Sequence, residues 1–330
     1  MRRLFLAVIL LTGILTSCTV GPNYRRPTVP APPSYRGPDS SQVSGAESIG
    51  DAKWWSVFKD PALQGLIRTA LQQNYDVRIA ATRVLQAQSQ LVITRANQYP
   101  NVTAGPGVTG VRQPGITGAF NSYSYVADAL NASASWNIDF WGRYRRATEA
   151  ARANLTATEW GRRAVLSTLV ENLAAAYFQL REYDLELDIA KRTLNSRQES
   201  LKLTQTLEQG GATGLVDVRQ AQQLVEEAAA AIPQTEQAIQ QTENQISTLL
   251  GENPTGITRG VAITEQPIPA TVPPGLPSQL LERRPDVQQS EQNLIAANAE
   301  IGVARAQLFP QISLTGSAGF QSIGLGNLFA

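Results

Sequence analysis

The sequence contains no histidine and a single cysteine, Cys18, in 330 residues. Without an imidazole there is no His-based general acid or base, no Ser-His-Asp or Cys-His nucleophile pair and no imidazole metal site. One thiol excludes an intrachain disulfide. Neither sign of charge dominates: 28 Lys and Arg stand against 27 Asp and Glu, a net charge of +1. Arg2 and Arg3 lie in what reads as a removable leader, so the mature chain is close to neutral and has no basic excess aimed at nucleic acid. No segment offers about 18 consecutive apolar residues, and no transmembrane helix is expected. Charged residues make up 17%, below the roughly 25% of an ordinary soluble domain. The apolar share of 42% suffices for a core. At roughly 150 residues per domain the length admits about two domains. Such a composition argues against an enzyme, and neither a cofactor nor a metal site is expected.

At the N-terminus, Met1-Arg2-Arg3 precedes an apolar stretch from Leu4 to Leu15 and the ending Leu15-Thr16-Ser17-Cys18. A positive start, about a dozen apolar residues and small residues at the cleavage point make a secretory signal peptide over 1–17. A dozen residues fall short of the about 20 that cross a bilayer as a helix. The ending resembles the bacterial lipoprotein signal, in which the cysteine becomes the lipidated first residue; a plain signal peptide with an incidental cysteine is the alternative. A lone thiol in an oxidising compartment is a liability, which favours lipidation of Cys18. Thr19 stands where lipoproteins retained at the inner membrane commonly carry Asp, so the resemblance implies the outer membrane. Residues 18–59 then read as a lipid anchor and an extended tether, rich in proline (Pro22, Pro27, Pro30, Pro32, Pro33, Pro38), which can bury little surface.

Helical patterning begins at Asp60-Pro61, a cap residue followed by proline at the first helical position, and runs to Gln98 with Val77, Val84 and Leu91 spaced by seven. After Pro100 the period becomes two, which predicts strands at about 101–111 and 123–140 around a Gly-rich loop at about 110–121. Leu130, Ala132, Ala134, Trp136, Ile138 and Phe140 alternate with Asn131, Ser133, Ser135, Asn137 and Asp139. That run has the length of a tilted membrane-spanning strand, roughly 9–11 residues. A half-buried strand of a soluble sheet has the same pattern. From about 142 to 209 there is no proline, and Leu166, Leu173, Leu180, Leu187, Leu194 and Leu201 recur every seven residues. A helix of that extent is on the order of 100 Å long and needs partner helices for its heptads. Gln209-Gly210-Gly211-Ala212-Thr213-Gly214 reads as a tight turn. A second heptad helix follows at about 214–250, with Val218, Val225, Ile232, Ile239 and Ile246 in one row and Pro233 predicting a kink or a local change of winding. Residues 252–277 form a second Pro-rich connector.

The chain also repeats itself. Asp76 to Pro100 aligns without gaps on Asp286 to Pro310: Asp76-Val77 matches Asp286-Val287, and Arg95-Ala96…Tyr99-Pro100 matches Arg305-Ala306…Phe309-Pro310. Alternation resumes after both prolines, so helix, Pro turn and strand occur twice. The segment 60–251 is expected to be one complete repeat and 278–330 the opening of a second. By that offset the counterparts of Trp136–Arg143 would lie beyond Ala330, so the second repeat is expected to be incomplete.

These features together resemble the outer membrane factor family, the TolC-like exit ducts of tripartite efflux pumps, in its NodT/OprM-like lipoprotein branch. The resemblance rests on Cys18-Thr19-Val20-Gly21-Pro22-Asn23-Tyr24…Arg26-Pro27, Trp54-Trp55…Phe58…Asp60-Pro61…Leu63, Asn137-Ile138-Asp139-Phe140-Trp141-Gly142-Arg143, Val216-Asp217-Val218…Ala221 and Leu249-Leu250-Gly251. It implies a mainly α fold with membrane β: long antiparallel coiled-coil helices of a periplasmic α-barrel plus strands of a β-barrel shared by a homotrimer. It also implies a periplasmic adaptor and an inner membrane pump, most commonly RND-type, as partners, with outer membrane lipid around the strands. The turn at Gly210, Gly211 and Gly214 would then be a periplasmic tip where the adaptor docks. Asp217 would help to hold a closed iris, or would only cap its helix. Trp136, Phe140, Trp141 and Arg143 would anchor at the membrane interface, together with Arg145 and Arg146, unless the three arginines only begin a solvated helix. Trp54-Trp55 would pack at the barrel equator. The function so implied is a passive, gated outer membrane conduit for drugs or other small molecules in a Gram-negative bacterium. The alternative from another class is a periplasmic adaptor lipoprotein built around one helical hairpin; an envelope enzyme would need two acids converging in a cleft.

Overall fold

A computed structural model describes residues 19–28, 30, 53–113, 123–266 and 281–329. After a short turn of helix, α1 (Trp54–Val57), Asp60 caps α2 (Pro61–Gln73): its Oδ1 accepts from Ala62 N at 2.9 Å, and Pro61 sits where its missing N–H costs nothing. The single helical run expected from Asp60 to Gln98 is broken at Asn74. This residue is buried and extended (φ −57, ψ 132). Its Oδ1 accepts from Val77 N at 3.1 Å and so starts α3 (Tyr75–Ala96), while its Nδ2 donates to Leu249 O at 2.9 Å. A short amide side chain that satisfies backbone groups on both sides competes successfully with helix continuation.

Three strands follow the helices. β1 (Asn101–Gln113) pairs antiparallel with β2 (Tyr123–Ile138), from Asn101 opposite Ser135 to Gln113 opposite Tyr123. β3 (Ile312–Ser322) pairs with the other edge of β2, from Ile138 opposite Ile312 to Asp128 opposite Ser322. β1 extends through Gly110 to Gln113, past the expected loop boundary; the rest of that loop, 114–122, lies outside the described residues. β2 ends two residues before the expected Phe140. Asp139 leaves the ladder to accept Arg145 N on its Oδ2 at 2.9 Å, and Gly142 takes a left-handed φ of +77. Pro106 is tolerated because β1 has one hydrogen-bonded neighbour among the described strands.

Residues directly opposite in such ladders share a face. One face carries Val102, Ala104, Leu130, Ala132, Ala134, Trp136, Ile138, Ile312, Leu314, Ala318 and Phe320. The other carries Asn101, Thr103, Asn131, Ser133, Ser135, Asn137, Ser313, Thr315 and Ser317, with the Thr103 and Ser133 hydroxyls 2.8 Å apart. The apolar face is largely bare: Val102 is 68% and Leu314 61% exposed.

The long helices are α4 (Arg143–Gln209, 67 residues) and α5 (Leu215–Leu250, 36 residues), close to the expected bounds. α5 runs unbroken through Pro233. α6 (Pro285–Ala306) completes the helices. Both ends of α6 lie 210 positions beyond those of α3, and the turns after them close alike. Gln98 and Tyr99 N donate to Arg95 and Ala96 O, and Leu308 and Phe309 N donate to Arg305 and Ala306 O. None of the helices is long and apolar enough to cross a membrane among the described residues.

The chain divides into two compact units, 1–28 with 84–158 and 289–330, and 29–83 with 159–288. The second has its core where Leu63, Ile67 and Ala70 of α2 meet Leu173, Tyr177 and Leu180 of α4 and Ile246 and Leu250 of α5. Trp54 and Phe58 pack against this cluster. Leu173 and Leu180 of the leucine row are fully buried, whereas Leu166, Leu187, Leu194 and Leu201 are half-buried. In the first unit, residues 19–26 are not the free tether the composition suggests. Val20 N donates to Trp141 O (3.1 Å), Asn298 Nδ2 to Pro22 O (3.0 Å), and Arg26 pairs with Glu291 (2.9 Å). Gly21 lies so close to Gly302 of α6 that a Cβ on Gly302 would meet Val20 O at 2.9 Å.

Candidate functional site

At the glycine turn, α4 stops because Gly211 adopts φ +72. Ala212 N donates to Leu207 O and Gly211 N to Glu208 O, both at 2.8 Å, while Gly210 N donates to Thr206 O at 3.1 Å. That pair of bonds, closed over a left-handed glycine, satisfies the last carbonyls of the helix. α5 begins at once from Gly214 in an extended conformation. Asp217, third residue of α5, accepts on Oδ2 from Gly214 N at 3.1 Å and from the Thr213 hydroxyl. Gly214 O accepts from Asp217 N, so the end is capped reciprocally. The Thr213 bond first, and the Gly214 N–H second, hold the exposed Asp217 carboxyl below its ordinary value. Leu203, Leu207, Leu215 and Val216 are exposed around the turn.

At the junction of sheet and helices, the expected interface residues divide by their bonding. Trp136 Nε1 donates to Gln98 O (3.1 Å) and Trp141 Nε1 to Pro310 O (3.0 Å), so each indole ties β2 or its exit to one of the two equivalent Pro turns. Trp141 also stacks on Phe309 at 4.6 Å. Phe140 is exposed, and the Arg143 guanidinium lies 5.6 Å from the Tyr144 ring. Arg145 is held by Asp139, with its Nε 3.5 Å from Oδ2. Arg146 corrects the interface reading: it is buried and donates to Asn23 Oδ1 (2.6 Å), with Glu149 Oε2 at 2.8 Å. Its planar fork fastens the N-terminal strap rather than facing solvent. Burial, reinforced by the Glu291 carboxylate that its hydroxyl reaches at 3.2 Å, pushes the Tyr24 phenol up. Cys18 lies outside the described residues.

Local patterns miss two polar clusters of the second unit. Asp60, almost wholly buried, accepts on Oδ2 from the Tyr177 hydroxyl (2.8 Å), Gln266 Nε2 (2.9 Å) and Val261 N (3.2 Å). Burial opposes its ionised form, but Tyr177, then Gln266 and the Ala62 and Leu63 N–H groups, outweigh burial and leave the carboxyl below its ordinary 3.8. Burial and the bond to Asp60 push Tyr177 up to about 12. In the other cluster Arg259 of the connector bridges Asp184 of α4 (3.2 Å) and Glu243 of α5. The only sequence hint was Asp60 itself, read as a helix cap.

Long hairpin helices joined to a small antiparallel sheet with one apolar face define a mainly helical protein of mixed helix-and-sheet class. The chain belongs to the outer membrane efflux protein family, whose model matches residues 66–252 and 276–330. It is 35% identical over 343 residues to the toluene efflux pump outer membrane protein TtgC of Pseudomonas putida, covering 100% of this chain and 69% of TtgC. It is 33% identical over 316 residues to the cation efflux system protein CusC of Escherichia coli K12, covering 96% and 68%. Among solved structures, the outer-membrane channel OprN superposes with a TM-score of 0.83 at 30% identity, covering 95% of this chain and 70% of OprN. The family consists of passive outer membrane efflux channels of Gram-negative bacteria, not enzymes. The adaptor alternative finds no support in it.

Proposed function

We propose that this protein is the exit-duct subunit of a tripartite efflux system, passing drugs or other small molecules through a homotrimer. The observation that carries the reading is the sheet: one face of three hydrogen-bonded strands is apolar and bare, and the other is Ser, Thr and Asn. A soluble sheet would cover that apolar face; lipid on one side and a wet lumen on the other suit both. Each protomer lends its strands to a shared barrel, and the half-buried leucine row of α4 supplies seams for neighbouring helices. The helix and Pro turn of 76–100, with the strand that follows, recur at 286–310 and beyond as a second structural repeat. Cys18 carries the lipid anchor. The turn at Gly210, Gly211 and Gly214 docks a periplasmic adaptor, which links the duct to an inner membrane pump of RND type. Asp217 adds a ring of three carboxylates to the closed iris, in addition to capping its helix. Trp136, Phe140, Trp141 and Arg143 lie at the membrane interface. The relatives are named for toluene and for cations, and the cargo here is a small molecule selected by the pump.

Expression in a Gram-negative strain lacking its own duct but retaining adaptor and pump tests this. Restored export, together with a crosslink from position 212 to the adaptor, is the expected result. Stable outer membrane protein without export or crosslink contradicts it.

A further inference from the structure

The junction between sheet and helices is unusually rich in one residue type. Five arginines occupy the last turns of α3 and α6 and the start of α4, Arg95, Arg305, Arg143, Arg145 and Arg146, with one aspartate, Asp139, just past β2. Cations suit the C-terminal turns of α3 and α6, but at the start of α4 they oppose the helix dipole. α4 has no acidic residue in its first turn to offset them. Arg145 is paired with Asp139, and Arg146 bonds Asn23 and Glu149 through its two terminal nitrogens. Among the described residues Arg143 has the Tyr144 ring as its partner. Neither it nor Arg95 nor Arg305 has a carboxylate partner among the described residues.

The ladder register brings the start of β1, the end of β2 and the start of β3 to the same edge of the sheet. Arg95, Arg143 and Arg305 each lie within seven residues of those strand ends. Arg95 and Arg305 are equivalent positions of the repeat, so the charge is placed twice by the same turn. Exposed apolar residues lie within seven positions of them along the chain: Leu308 at 85%, with Tyr99, Phe140, Phe309 and Ile312. Exposed aromatic rings beside unpaired guanidinium groups match the chemistry of a bilayer headgroup layer, where rings sit among glycerol esters and guanidinium forks phosphate.

We propose that Arg95, Arg143 and Arg305 form a binding collar for anionic phospholipid headgroups in the leaflet at the helical end of the sheet. The proposal rests on the membrane reading of the strands given above. The collar's cationic excess favours phosphatidylglycerol over a zwitterionic lipid, whose own amine partly neutralises its phosphate.

The test is the full-length protein in vesicles of mixed phosphatidylcholine and phosphatidylglycerol, with one or the other lipid brominated, reading quenching of tryptophan fluorescence. Trp136 and Trp141 report from the junction itself. Brominated phosphatidylglycerol is expected to quench beyond its share of the lipid. The relative association should weaken by about fivefold for each arginine replaced by glutamine, and the preference should persist when all three become lysine. Raised salt should erode it. Equal quenching by the two brominated lipids in the unmodified protein overturns the collar, whatever the variants do. No quenching by either lipid overturns the membrane reading of the strands, and the collar with it.

Discussion

Tyr177→Phe removes one oxygen atom from the best-enclosed polar cluster of the helical unit. The Tyr177 hydroxyl donates to Asp60 Oδ2 at 2.8 Å and accepts from Gly260 N at 2.9 Å. Tyr177 is wholly buried, and Asp60 nearly so. A hydrogen bond to a charged group contributes roughly 1.5–3 kcal/mol, and a buried N–H left without an acceptor costs roughly 1–3 kcal/mol. The carboxylate keeps Gln266, Val261 N and Ala62 N, which softens the loss. A net destabilisation of about 2–4 kcal/mol follows. Tyr183→Phe is the control: its hydroxyl accepts from Gln179 on an exposed helix face, and about 0.5 kcal/mol or less is expected there. Denaturant unfolding of both variants in detergent, followed by circular dichroism, makes the comparison. Equal midpoints for Tyr177→Phe and Tyr183→Phe would refute the cluster's role as the lock between α2, α4 and the connector.

The same carboxylate sets an acid limb. Its folded-state value lies below the unfolded 3.8, so its contribution is complete above about pH 5 and is lost as pH falls through the folded value; melting temperatures of Asp60→Asn should fall less over that range than those of the unmodified protein. Asn74→Ala deletes the cap of α3 and the donor to Leu249 O, for a loss of about 2–3 kcal/mol in the same unfolding assay, with no loss contradicting the account of the helix break. Arg146→Ala should release residues 19–26 and speed tryptic cleavage after Arg25 on the order of ten- to a hundredfold, since cleavage follows the open population. Arg146→Lys should not restore protection, because one ammonium cannot hold Asn23 and Glu149 together.

What could be read in advance was periodic and local. The proline-free span from about 142 to 209 marked the extent of α4 to within one residue, and the glycines at 210–214 announced the turn. The offset of 210 foretold that Tyr75–Ala96 and Pro285–Ala306 would be matching helices. What stayed hidden depends on partners far along the chain. Asn74 looks like one more polar residue on a helix until Leu249 O, 175 positions away, gives its amide a use. Asp60 meets Gln266 across 206 positions, and Arg146 meets Asn23 across 123. Periodicity carries no information about such pairings. One trace was present: α6 has Gly302 where the repeat places Val92 in α3, and the missing side chain is what lets the strap at Gly21 approach.

The most direct test of the whole account is current through the full-length protein in a planar lipid bilayer. Asp217, whose carboxyl the Thr213 hydroxyl and the Gly214 N–H hold below its ordinary value, is ionised at neutral pH. The closed duct should therefore show small conductance steps that grow when Asp217→Asn removes the carboxylate ring. Inserted protein that passes no ions, before or after that substitution, would contradict the claim that this protein is a gated conduit.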